Sequence, residues 1–227
     1  MSFGYKTAWF AFRSAAPEAV IRALGLSSPV AAKAQVAIDA AYGNDSKGLS
    51  GKAFVTPPLS GWTLAMSTGF FDIADAAPAL FPELLVKLSA ELGTEVQFFA
   101  THRVVEAHLW ARAIGGSLVR AYSYVGESGE KRVEIGEPTP EEVALDLRFF
   151  DPNSPDAEED GYWEREDLRY PDEEDVMRVA ERWSVNPSAL TSVPEGFLAD
   201  VLPRRPSSAQ RTSGRLPATK NPWWRFW

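Results

Sequence analysis

The 227-residue chain contains no cysteine. Disulfides, thiolate metal sites and cysteine nucleophiles are therefore excluded, while the compartment stays open. Only two histidines occur, and both fall within residues 101–108, THRVVEAH. No apolar run approaches the ~18 residues needed to span a bilayer. The start, MSFGYKTAWFAFR, lacks the basic region, apolar stretch and small-residue cleavage site of a signal peptide. The expectation is a cytoplasmic protein with no transmembrane segment. Several catalytic signatures are missing as well. No G-x-S-x-G occurs, since GESG fails the spacing. GLSGKA lacks the Walker spacing and the Ser/Thr after lysine, and it leads into a strand. No G-x-G-x-x-G follows a strand, and H-E-x-x-H is absent. Hydrolysis by a carboxylate pair stays open, because the separation that defines such a pair is three-dimensional.

What is present describes a globular body with uneven charge. Hydrophobic residues make up 45% and charged residues 24%, enough for a sizeable core without staples. Arginine outnumbers lysine by 16 to 7 and alanine is abundant, a usage that suggests a GC-rich bacterial genome. The net charge is −8, yet residues 134–175 carry 17 acids against three arginines, and residues 203–227 carry six basic residues and no acid. An acidic body disfavours nucleic acid as the partner, because phosphate binding needs clustered Lys/Arg. It suits solubility or a basic protein partner instead.

The patterning predicts an α+β fold over residues 1–202, a mostly antiparallel sheet flanked by helices. Residues 5–12 read as an aromatic-rich strand. PEAVIRALGL reads as a helix with Pro17 at its first position. PVAAKAQVAIDAAYG, from Pro29 to Gly43, reads as an Ala-rich second helix. Two short strands flank a Pro-Pro turn in AFVTPPLSGWTLAMST, and a helix over DAAPALFPELLVKLSAELG stops at Gly93. Strands follow over 95–113, 117–125 and 131–135. Gly115-Gly116 suits a two-residue hairpin turn, which would pair Trp110 with Ala121, His108 with Ser123 and Glu106 with Val125. Thr139-x-x-Glu142 is a capping box. Residues 151–171 form a long acidic surface loop, DEEDVMRVAERW is a helix and NPSAL opens a helical turn. Residues 203–227 form a basic, Pro/Ser-rich flexible tail that ends in NPWWRFW.

On an uninterrupted strand, His102, Glu106, His108 and Trp110 share one face. The two histidines are then about 20 Å apart at ~3.3 Å per residue, too far for one zinc ion with nitrogen ligands at ~2 Å. What remains is a polar, Trp-bearing contact face: His102, Arg103, Glu106, His108 and Trp110, with Arg120 and Tyr122 nearby. A second candidate lies in the acidic loop. Asp156, Glu158, Asp160, Gly161, Glu164 and Asp167 fall at positions 1, 3, 5, 6, 9 and 12 of an EF-hand-like calcium register. Glu at position 3, Asp at 12, Trp163 at 8 and the prolines Pro152 and Pro155 before it depart from that pattern. The third candidate is the tail: Trp223, Trp224, Phe226 and Trp227 either dock on a partner groove or membrane surface, or fold back on the body, helped by attraction to the acidic segment.

Charge and the missing catalytic sets favour a non-catalytic bacterial binding protein, most concretely an immunity-type protein that neutralises a toxin by direct binding. The alternative is an enzyme or small-ligand binder at the face around His102, Glu106 and His108. A calcium-modulated adaptor working through residues 156–167 is the third reading. No cofactor other than calcium is implied.

Overall fold

The computed structural model describes residues 2–43, 50–71, 80–126 and 130–201. β1 (Thr7–Arg13) is buried from Thr7 to Phe12, because both of its faces are covered. Phe10 and Phe12 enter one apolar cluster and Trp9 and Ala11 the other. A strand buried on both sides reads as a continuous apolar run, and that run made it recognisable. Around it lie β2 (Ser27–Ala32), β3 (Lys52–Val55), β4 (Trp62–Ser67), β5 (Glu95–His102), β6 (Ala107–Ile114), β7 (Ser117–Val125), β8 (Glu130–Ile135) and β9 (Gly196–Asp200). They form one sheet in the order β2-β9-β3-β4-β1-β5-β6-β7-β8, with antiparallel neighbours throughout.

Helices cover both faces. On one side α1 (Pro17–Leu24) inserts Val20 and Ile21, and α3 (Leu80–Leu92) inserts Leu85 and Leu88, against Phe10, Phe98 and Leu109. On the other, α2 (Ala34–Tyr42) and α5 (Glu173–Trp183) pack Ala37, Ile38, Val176 and Trp183 against Trp9, Phe99 and Trp110. The short α4 (Pro140–Ala144) lies on this second side. The architecture is α+β, as the patterning predicts. Among the described residues no helix is long and apolar enough to cross a membrane.

Three local expectations are overturned. The Ala-rich run from Pro29 does not begin as a helix: Val30, Ala31 and Ala32 pair with Leu198, Phe197 and Gly196 of β9, and the helix starts only at Ala34. Pairing with a distant strand overrides local helix preference here. Gly196 permits this crowding, since a Cβ there would lie 2.4 Å from the Val55 carbonyl oxygen. Pro29, the positive φ of Ser28 (51°) and a register shift blunt β2 as an edge strand.

The second correction concerns register. Gly115 and Gly116 do form a two-residue turn, with φ of 54° and 84°, and Ile114 faces Ser117. A bulge between Arg112 and Ala113 then shifts the pairing by one residue. Trp110 faces Tyr122, not Ala121, and His108 faces Tyr124, not Ser123. A one-residue slip exchanges sheet faces, so Arg120, Tyr122 and Tyr124 join Trp110 and His108 on the side of α5.

The third is the histidine stretch itself. THRVVEAH is a hairpin, not a continuous strand: β5 ends at His102, residues 103–106 turn, and β6 starts at Ala107. Glu106 sits in the turn with φ 48°, and its carbonyl accepts from the Gly126 N–H at 3.0 Å.

Candidate functional site

The hairpin separates the residues that an extended strand would have aligned. His102 pairs with Ala107 and packs edge-on to Phe71, on the side of α3. His108 pairs with Thr101 on the opposite face, where its Nδ1 is 3.1 Å from Thr101 Oγ1. The pair cannot share a metal ion from one face. Glu106 and Arg103 are exposed in the turn, and Arg103 approaches Glu173 at 3.7 Å. His108 is only 3% exposed. Burial pushes its pKa down to about 4, with His102 adding to the effect and Asp175 opposing it. It is therefore a neutral core imidazole at neutral pH.

Trp110, Arg120 and Tyr122 do converge, but inside the protein. Glu142 (2% exposed) anchors Trp110 and Arg120 through its carboxylate. Oε1 accepts from Trp110 Nε1 at 2.9 Å and Arg120 Nε at 3.0 Å, and Oε2 accepts from the Thr139 N–H at 2.9 Å. Arg120 also donates to the Gly136 carbonyl at 2.7 Å and lies 3.4 Å from Glu134. Trp110 stacks on Tyr122 at 4.5 Å, and Phe149 tilts against both rings. Gly136 is required at this junction, because with φ 76° a Cβ would lie 2.2 Å from the Val119 carbonyl oxygen. A second buried carboxylate, Glu95, accepts from Gln97 Nε2 at 2.7 Å. Arg112 Nε sits 2.6 Å from Glu95 but out of line for a hydrogen bond, and its guanidinium lies over Trp183.

The box read at Thr139-x-x-Glu142 thus does two jobs. It starts α4, and it presents Glu142 to two strands. Thr139 Oγ1 also accepts from Trp183 Nε1 at 3.1 Å, tying α5 to the same point. Thr139→Ala is expected to cost about 2 kcal/mol of unfolding free energy, as a lost cap plus a stranded indole N–H. Thr139→Ser should stay within about 0.5 kcal/mol of the native protein. Urea unfolding of both variants checks this.

Beside the network opens a cleft of about 160 Å³, lined by Arg120, Tyr122, Lys131, Glu134, Phe149 and Asp151, among others. Lys131 lies between Glu134, at 2.5 Å, and Asp151. Tyr122 is buried and lines this cleft, and burial holds its hydroxyl strongly toward the neutral form.

The acidic segment folds into a clamped loop. At its base the Phe150 N–H donates to the Arg169 carbonyl and the Arg169 N–H to the Arg148 carbonyl. Arg169 pairs with the buried Asp175 and lies over Phe149. Within the loop two short turns, Pro155–Glu158 and Tyr162–Glu164, present the side chains. The residues do not fit the expected calcium register. Asp167 is held by Arg165 at 2.9 and 2.7 Å and by Arg148 at 3.3 Å. Among the described residues no three His, Asp or Glu side chains are grouped to hold a metal ion. Asp156, Glu158, Asp160 and Glu164 are exposed on the surface.

That surface carries rings as well as charge. Trp163 is 46% and Tyr170 49% exposed, and both lean on the buried Phe150, at 5.5 and 5.1 Å. Tyr162 meets Trp163 edge-on at 4.9 Å and fixes the loop through its hydroxyl, which accepts from the Asp151 N–H at 2.8 Å. Trp163 Nε1 donates to the Ala157 carbonyl at 3.1 Å, so the exposed indole is held in one orientation. Among the described residues, Asp156, Glu158, Glu159, Asp160, Glu164 and Glu166 form no ion pair. Two exposed rings held against Phe150, with six acids of the same loop outside any ion pair, make this the most distinctive exposed surface among the described residues.

Comparison of the chain with protein-family models, curated proteins and solved structures finds no match. The tail residues Trp223, Trp224, Phe226 and Trp227 lie outside the described residues. Sequence reading missed Glu142, Glu95 and Asp175 as the buried carboxylates of this face. A capping-box Glu is a visible signal for a helix start, but nothing local shows that two distant strands will also bond it.

Proposed function

We propose that the chain is a non-catalytic binding protein whose acidic, aromatic loop face covers a basic surface on a protein partner. Neutralising a toxin by covering its basic active site is the concrete form of this role. The observation that supports it is the pairing of Trp163 and Tyr170, exposed but held in place, with six acids that form no ion pair among the described residues. Interface hot spots favour Trp and Tyr that are already ordered, since little side-chain freedom is then lost on binding. Surrounding carboxylates steer a basic partner and select its orientation. The buried carboxylates Glu142 and Glu95 are occupied by internal donors and are read as structural.

The test is capture of the partner from native cells, followed by cross-linking and mass spectrometry. A basic partner is expected, with links at residues 156–174 and an association rate that falls steeply with salt. Trp163→Ala should weaken the complex about 30-fold, the effect of losing one hot spot of about 2 kcal/mol. A partner whose links map elsewhere, or affinity unchanged in Trp163→Ala, would overturn the reading.

A second reading, a small-ligand binder, moves from the histidines to the cleft at Arg120 and Tyr122. The feature favouring it is the cleft itself, where Tyr122 lies among Arg120, Lys131, Glu134 and Asp151. A thermal-shift screen of small polar compounds tests it: a hit must lose its shift in Tyr122→Phe, and no hit removes the reading.

A further inference from the structure

The exposed rings of the acidic loop have a second occupant close at hand. We infer that residues 203–227 of the same chain dock across this face, with Trp223 and Trp224 against Trp163 and Tyr170 and the tail's cations over the acids beside them. The inference concerns the same face as the partner reading but does not require it. If both hold, the tail is an internal competitor that a partner must displace.

Three observations carry it. The first is chemical match. Residues 203–227 hold five arginines and Lys220 with no acid, and they end in NPWWRFW. The loop face offers the complement, six acids unpaired among the described residues and two exposed rings. Arginine and indole against indole and phenol, within a carboxylate field, combine stacking, cation–π and charge attraction.

The second is reach. The described chain leaves β9 at Val201, whose N–H bonds the Gly51 carbonyl. Tyr170 packs on Tyr124 of β7, six strands away in the sheet order. Six strand spacings amount to about 29 Å. The 22 residues from Val201 to Trp223 span up to about 75 Å when extended. That exceeds the breadth of a body of this length, whose radius of gyration is about 17 Å. The third is the alternative: three tryptophans within five residues, left in water, are unfavourable and prone to association.

Lys220 is the tail's sole lysine, so zero-length carbodiimide coupling of the full-length protein at low concentration reads the docking directly. The expected products are isopeptide links within one chain from Lys220 to carboxylates of residues 156–166, found by mass spectrometry. Their yield should fall at least about fivefold in 1 M salt. It should fall comparably in the W163A/Y170A and W223A/W224A variants, which keep every carboxylate and Lys220. Links confined to other carboxylates, covalent dimers in place of internal links, no Lys220 coupling, or unchanged yield in both double variants would each overturn the inference. Internal links to the loop without a captured basic partner would sink the partner reading alone, and the converse would sink this one alone.

Discussion

Replacing Glu142 with alanine is expected to lower the unfolding free energy by about 3–5 kcal/mol, the usual result of removing one member of a buried ion pair. The carboxylate serves donors from three places: the Trp110 indole on β6, the Arg120 guanidinium on β7 and the Thr139 N–H at the start of α4. Without it, Trp110 and Thr139, both buried, each lose an acceptor. Arg120, 3% exposed, keeps the Gly136 carbonyl and the distant Glu134. The cleft beside Tyr122 and Lys131 lets some water reach the vacated position, which places the expectation nearer 3 than 5 kcal/mol. Glu142→Gln keeps one acceptor oxygen but points amide hydrogens at donors, so it should recover only part of the loss. The double variant Arg120→Met with Glu142→Leu should be more stable than Glu142→Ala, because no buried charge is left unpaired. Urea unfolding with an unchanged slope measures all three. A loss below about 1 kcal/mol for Glu142→Ala would mean that the network contributes little and that Arg120 rehydrates freely.

The elements that sequence alone made legible are those whose signals are local. β1 announced itself through WFAF, the Gly-Gly turn through its two glycines, α4 through the Thr139 capping box and α5 through the pattern DEEDVMRVAERW. The failures are non-local. β9 and the strand character of β2 depend on residues 27 and 200 meeting, which no window contains. The register of β6 on β7 was correct at the turn and wrong beyond a single bulge. That one residue decides whether Arg120 and Tyr122 face α5 or α3. The candidate site followed the same division. Trp110, Arg120 and Tyr122 were chosen as neighbours and are neighbours, although in the core. His102, Glu106 and Arg103 were grouped with them on the assumption of a straight strand, and the hairpin disperses them. In the loop the acids were plain, but Trp163 entered only as a departure from a calcium pattern. Its partner Tyr170 could be recognised only once Phe150 had brought the two rings together.

His108 should make the stability of the protein fall as pH drops below about 6.5. Its folded-state pKa is pushed down to about 4 by burial, helped by His102 and opposed by Asp175, whereas an unfolded-chain histidine titrates near 6.5. Between those values the unfolded chain binds a proton that the folded protein refuses, so protonation favours unfolding. The contribution is fully present above about pH 6.5 and is lost progressively toward pH 4. The groups around the imidazole accommodate only the neutral ring. Thr101 on β5 offers a single hydroxyl, Tyr124 lies opposite on β7, and Asp175 of α5 is already held by Arg169. From pH 7 to pH 5 the loss attributable to His108 is expected to be about 2 kcal/mol. Glu173, whose pKa is raised by burial, acts with the opposite sign, but it does so equally in a variant that lacks only the imidazole. The measurement is therefore a difference: unfolding free energy at pH 7 and pH 5 for the native protein and for His108→Gln. The native protein should lose about 2 kcal/mol more than the variant over that interval. Equal losses would mean that the imidazole accepts its proton in place, and His108 would then be available for the acid–base role that its burial now argues against.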